Sequence, residues 1–177
     1  PDPPLPRVAV FNEIHYAPLD KTVREEFVEL VGVSDAALDL SGWRLTGGIQ
    51  FTFPAGTTLA PGGYVVVAQD PAVVKTRFGY AGALGPFTGR LGNSGDTVIL
   101  RDSLGRRRDE LAYVRGFPFP TAGGDSGRSI ERINLAPGFD GTRGGAWRLG
   151  ASTGPGATPG ARSSVYDDNP PPLIDEV

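Results

Sequence analysis

Glycine and proline interrupt this chain so often that long regular elements have no room between them. The 26 Gly and 17 Pro among 177 residues follow no triplet repeat. That excludes a collagen-like rod and disfavours a helical bundle, because these two residues are the costliest inside a helix. Short segments joined by turns are what remain. Apolar residues make up 39% of the chain, enough for one domain of this length to bury a core without covalent staples. Cys is absent, so disulfide scaffolds, thiolate metal sites, Cys nucleophiles and dithiol redox chemistry are excluded. A single His removes His-rich zinc sites as well.

The 17 basic and 20 acidic residues leave a formal charge of -3, which offers no long-range attraction for nucleic acid or anionic lipid. Nucleic acid is therefore not expected as a partner. No apolar run approaches the roughly 18 residues that a spanning helix needs, so no membrane span is expected in this segment. The opening Pro1-Asp2-Pro3-Pro4 reads as a piece of a longer, multidomain parent. The expected partners are neighbouring domains of that parent or another protein, and no feature specifies an oligomeric state. Residues 1–6 and 166–177 have the Pro-rich, charged composition of linkers, the second leading towards a following domain. The domain is expected over residues 7–165.

Between these ends apolar residues recur with period two, the pattern of strands buried on one face. Val8, Val10, Ile14 and Tyr16 are expected on one face of a first strand, and Val28 and Leu30 oppose Phe27, Glu29 and Val31 in a second. Further strands are expected over residues 42–45, 51–53, 64–68, 97–101, 110–114, 129–133 and 147–149. About nine short strands separated by turns describe an all-β sandwich. Ala60-Pro61-Gly62-Gly63, Asn93-Ser94-Gly95-Asp96 and Asp102-Ser103-Leu104-Gly105 supply turn chemistry, the last closing a hairpin. One short helix is expected over residues 71–78, with Asp70 as N-cap, Pro71 in its first turn and Gly79 as its stop.

Six blocks then occur in order. They are Phe11-Asn12-Glu13-Ile14-His15-Tyr16, Glu26-Phe27-Val28-Glu29-Leu30, Asp39-Leu40-Ser41-Gly42-Trp43-Arg44-Leu45, the stretch from Phe53 to Tyr64, Leu91-Gly92-Asn93-Ser94-Gly95-Asp96, and Ala157-Thr158-Pro159-Gly160. Together they resemble bacterial lamin-tail domains over most of residues 8–160. The resemblance implies an immunoglobulin-like β-sandwich in a secreted or surface-displayed bacterial protein, extracellular or at the cell surface, often beside hydrolases, nucleases or other sandwich modules. In animals the same domain ends nuclear lamins as an interaction surface. The family carries no active-site motif, so the resemblance implies no enzyme, no catalytic residue and no cofactor. A glycine-rich insertion over residues 122–128 departs from the family pattern.

The candidate chemistry is sparse. Gly124-Asp125-Ser126-Gly127 matches the tetrapeptide around a serine-protease nucleophile, with His15 as the one available base. Arg128 stands where a further glycine is expected, and His15 lacks the usual context, so a loop is preferred to a hydrolase. Glu13 and His15 share one side of the first strand. If Ile14 pairs with Val28, Glu13 lies beside Glu29, and such opposed carboxylates need a cation or hydrogen bonds between them. Glu13, His15 and Glu29 are thus candidate metal ligands, against the preferred reading that no metal is held. In that reading Arg44 neutralises the acids or loop backbone bonds to them.

Asp167-Asp168-Asn169 offers Ca²⁺-type oxygens without an EF-hand frame, and Arg106-Arg107-Arg108 could touch phosphates or simply discourage edge pairing. A solvated linker and a charged hairpin tip are the preferred readings. Phe51, Phe53, Phe117 and Phe119 could form a carbohydrate or peptide platform, although core or end-plug roles are the commoner use. Trp43 is assigned to the core between the sheets and Trp147 to one end. The resulting expectation is a non-catalytic interaction or spacer module, with an accessory domain that positions a hydrolase or nuclease on its polymer as the alternative, and a small hydrolase third.

Overall fold

A computed structural model describes residues 5–121 and 127–173. Its strands, in chain order, are β1 (Ala9–His15), β2 (Phe27–Gly32), β3 (Leu38–Asp39), β4 (Arg44–Gly47), β5 (Ile49–Thr52), β6 (Thr58–Leu59), β7 (Tyr64–Ala68), β8 (Thr88–Gly89), β9 (Gly95–Arg101), β10 (Arg107–Val114), β11 (Ile130–Arg132) and β12 (Trp147–Leu149). Two antiparallel five-stranded sheets, β12-β11-β1-β2-β7 and β10-β9-β4-β5-β8, enclose the core, and β3 pairs with β6 in a small ribbon. The architecture is the expected sandwich, with twelve strands rather than nine. The additional three are β3, β6 and β8, each of two residues, too short for an alternating pattern to show in sequence.

The core between the sheets takes Val28 and Leu30 from β2, Val65 and Val67 from β7, Leu45 and Ile49 from the β4–β5 hairpin, and Val98 and Leu100 from β9. Trp43 is 6% exposed within it. Trp147 is fully buried at its edge, where its indole Nε1 donates to Gly141 O at 2.9 Å.

The first strand corrects the sequence reading. A bulge lies between Phe11 and Glu13, with Phe11 opposite Leu30 and Glu13 opposite Glu29. The extra residue reverses the alternation. Ala9 and Phe11 therefore join Ile14 and Tyr16 in the main core, and Val10 is turned off the face expected for it.

The helix α1 (Pro71–Phe78) forms as its sequence dictates. The Asp70 carboxylate accepts from Ala72 N and Val73 N, and Gly79 closes the helix at φ 75°. Val74 is its buried residue, packed with Phe27, Val66 and Ala68 on the outer side of the first sheet. The turn Asp102–Gly105 closes the β9–β10 hairpin as expected. No helix among the described residues is long and apolar enough to cross a membrane.

Candidate functional site

The most unusual feature is a row of buried acids on the outer side of the first sheet. The ladder pairs Glu13 with Glu29 on one side and with Glu131 on the other, so adjacent strands β11, β1 and β2 each carry a glutamate at one level. All three are fully buried. The pairing of Ile14 with Val28 that the sequence suggested is the observed one.

These carboxylates are met by the chain's own donors. Glu13 Oε1 accepts from Ser129 Oγ at 2.6 Å and Thr158 N at 2.9 Å, and its Oε2 accepts from Thr158 Oγ1 at 3.2 Å. Asn12 Nδ2 donates to Glu29 Oε1 at 2.7 Å, and Gly160 N donates to Oε2 at 2.6 Å. Glu131 Oε2 receives Ser163 Oγ, Ser164 N and Ser164 Oγ at 3.0, 2.5 and 2.9 Å. Six donors to these three acids come from residues 158–164, which therefore lie across the sheet as a clasp. Arg44 plays no part: it is exposed on β4 of the opposite sheet. Of the two arrangements expected, neutralisation by Arg44 fails because sheet pairing carries β4 to the other layer, and hydrogen bonding with loop backbone is the one found.

Burial, more than the neighbouring negative charges of Glu131 and Glu29, pushes the Glu13 carboxyl well above its ordinary value. Glu29 is pushed up to about 8, again chiefly by burial, against the opposing hydrogen bonds from Asn12 and Gly160. His15 is on the same side, stacked on Phe27 with centroids 5.7 Å apart and edge-on to Phe78 at 5.4 Å. Burial lowers its pKa to about 4. Its Nε2 lies 3.0 Å from Gly127 O. A carbonyl oxygen only accepts, so Nε2 carries the proton and donates. The imidazole is thus a neutral packing element. Ser126 lies outside the described residues.

Among the described residues no group of three or more His, Asp or Glu side chains has the geometry to hold a metal ion. Glu13 and Glu29 are brought together as the sequence suggested, while His15 bonds elsewhere.

The remaining candidates are held by local partners. Arg106 pairs with Asp102 at 2.8 Å and Arg107 with Glu110 at 2.8 Å. Arg108 is the extra residue of a second bulge, in β10, and turns its guanidinium over Trp43 at 5.4 Å. Asp168 pairs with Arg162 at 2.6 Å, and Asp167 O accepts from Asn134 Nδ2. Phe53 and Phe119 are buried and Phe51 packs edge-on to Phe53. Phe117 alone of these four rings stands out, 86% exposed.

Two arrangements escaped the sequence. At the β1 bulge the Asp109 carboxylate accepts from Phe11 N at 2.8 Å, and Arg132 donates from Nη1 to Phe11 O at 3.3 Å. Arg132 also donates to Phe139 O and stacks on Trp147. Burial raises the Asp109 pKa to about 6 and lowers that of Arg132 to about 10. Glu131 was the second omission. It sits mid-strand in a segment read as β from sequence, but its pairing with β1 spans more than 100 residues, and local periodicity carries no such information.

Two antiparallel sheets packed over one core, with one α-helix among the described residues lying outside them, define an immunoglobulin-like β-sandwich. The Lamin Tail Domain family model matches residues 6–115, well over half of the chain, and the protein belongs to that family. No curated protein matches it. The matched region holds Glu13 and Glu29, whereas Glu131 and the clasp follow it in the chain.

Proposed function

We propose that this domain is a non-catalytic interaction or spacer module of a secreted or surface multidomain bacterial protein, extracellular or at the cell surface. The observation that carries this reading is the use made of its perturbed ionisable groups. Strongly shifted side chains in an accessible cleft point to catalysis. Here Glu13, Glu29 and His15 are fully buried and hydrogen-bonded within the fold, so they rigidify a scaffold whose loops are left to make contacts. Its partners are neighbouring domains of the parent or another protein. Labelling with an active-site organophosphate tests the reading. No modification of Ser126 is expected; modification that His15→Ala abolishes would make the domain a serine hydrolase.

A further inference from the structure

We propose that the outer face of the second sheet, β10-β9-β4-β5-β8, binds a phosphodiester-linked polyol polymer, with one phosphate held between Arg44 and Arg101 and the next reaching Arg107. This rests on the interaction-module reading and names the ligand class for it.

Strand register builds the site. Arg101 of β9 lies directly opposite Arg44 of β4 on one side and Arg107 of β10 on the other, so three neighbouring strands carry an arginine at one level. Leu45 and Leu100 alternate into the core, which leaves the arginines on the outer side. Directly opposed side chains have Cβ atoms about 4.5–5.5 Å apart, and like charges there destabilise a sheet. Glu110 offsets one of them, accepting from Arg107 Nη1 at 2.8 Å. Arg44 is exposed and makes no hydrogen bond or ion pair among the described residues. Arg101 donates only to neutral acceptors, from Nε to Thr46 Oγ1 at 3.3 Å and from Nη1 to Gly105 O at 3.1 Å. Its Nη2 is left for a ligand.

Beside this pair the strands form a shallow groove of about 270 Å³ lined by Arg44, Thr46, Gln50, Thr52 and Thr88. That is smaller than the usual small-molecule site of roughly 300–1,000 Å³, and it suits one tetrahedral anion with its linker better than a cofactor. Thr46 Oγ1 already accepts from Arg101, so its own proton is left to donate, and Thr52 and Thr88 are exposed. Two guanidinium forks beside a set of hydroxyls match phosphate oxygens, and Arg lends both charge and direction to such bonds.

The local charge stays positive after the acids are counted. Among the described residues Glu110 is the one acid on the outer side of these strands, because Asp109 and Asp96 sit at inward positions opposite the core residues Leu100 and Tyr113. Asp102 at the hairpin turn is buried between Arg106 and Arg108, and Asp39, off the sheet on β3, bonds to Ser41. Arg44, Arg101 and Arg107 against Glu110 leave two positive charges, which at physiological salt act within about 8 Å. The row extends beyond one anion: Arg107 lies two strand spacings from Arg44, about 10 Å, the reach of a second phosphate along a chain. Phe51 at the groove wall packs edge-on to Phe53, which leaves no open ring for nucleic-acid bases to stack on.

Calorimetric and NMR titrations with glycerol-phosphate oligomers test the assignment, beside inorganic phosphate, oligogalacturonate, oligoglutamate, single-stranded DNA and phosphatidylglycerol vesicles. The oligomer is expected to bind more tightly than inorganic phosphate, to weaken as salt is raised, and to shift the guanidinium resonances of Arg44 and Arg101. Arg44→Gln and Arg101→Gln are each expected to weaken it about tenfold, while Arg24→Gln, exposed on the loop before β2, leaves binding unchanged. Arg44→Gln should also melt no lower than wild type, since it removes a like charge and no structural contact.

No binding of the oligomer, equal binding of inorganic phosphate or of either carboxylate polymer, tighter binding of DNA, or binding confined to the vesicles would overturn the proposal. Asp2, Asp125, Asp175 and Glu176 lie outside the described residues. Binding that appears only after deletion of residues 1–4 and 174–177 together with Asp125→Asn would show that these acids neutralise the row, and would overturn it as well. Oligomer binding that survives both glutamine variants would remove this site yet leave the interaction-module reading standing, whereas organophosphate labelling of Ser126 would remove that reading without touching the arginines.

Discussion

At the scale of single residues, the outer face of the first sheet shows how a protein can bury acids without cations. Glu13 and Glu29 meet N–H and O–H donors, and burial raises both carboxyl pKa values. Between the ordinary value of 4.5 and about 8, Glu29 binds more proton in the folded than in the unfolded chain. Stability from this group is therefore fully present below the lower value and lost as pH rises through the higher. His15 acts in the other direction, its contribution falling as pH drops from 6.5 to about 4, and Asp109 titrates at about 6. The interval from 6.5 to 8 thus separates Glu29 from His15 and Asp109.

The melting temperature is expected to fall across that interval, with stability changing by up to about 1.4 kcal/mol per pH unit for each proton released. Glu29→Gln should lower stability at the acidic end, since its amide cannot accept both bonds, and should flatten the slope. A variant as steep as wild type would refute the assignment.

At the scale of elements, the clasp over residues 158–164 is the part most exposed to test. Gly160 donates to Glu29 from a left-handed backbone, φ 79°, and a Cβ there would come within 2.1 Å of the Tyr80 ring. Gly154 shares the backbone, φ 76°, but has nothing within 4 Å of its would-be Cβ. Gly154→Ala should cost about 1–2 kcal/mol from the backbone alone. Gly160→Ala should cost more, because Tyr80 must also move and a backbone shift that relieves the clash draws the retained N–H away from Glu29. Denaturant melts compare the two, and hydrogen exchange should rise at residues 158–164 in the second variant. Equal losses would show that the clasp does not depend on this contact.

At the scale of the whole molecule, strand pairing aligns the acids and the clasp donates hydrogen bonds to them. Added Ca²⁺ or Zn²⁺ is expected to leave the melting temperature unchanged. A ligand at a hundredfold excess over its dissociation constant would instead add about 2.7 kcal/mol. A rise of several degrees that Glu13→Gln abolishes would establish a metal centre in the carboxylate row.

The sequence by itself determined the features that local chemistry sets. Asp70, Pro71 and Gly79 specify the helix within one residue at each end, and the turn at Asp102–Gly105 specifies its hairpin. Alternation in β2 and β7 specifies which side chains enter the core, and the blocks from Phe11 to Gly160 carry the family. The tertiary structure decided what depends on partners distant in the chain. Asn12 forms a bulge because Asp109 and Arg132 are there to satisfy Phe11 N and O. Arg44 lies in the other layer, the two-residue strands exist only through their pairings, and Glu131 completes the acid row only because β11 docks beside β1. Helix caps and turns are made within a few residues, where each side chain finds its own backbone. Register between strands a hundred residues apart is chosen by burial and hydrogen-bond satisfaction across the assembled sheet, and no local pattern encodes it.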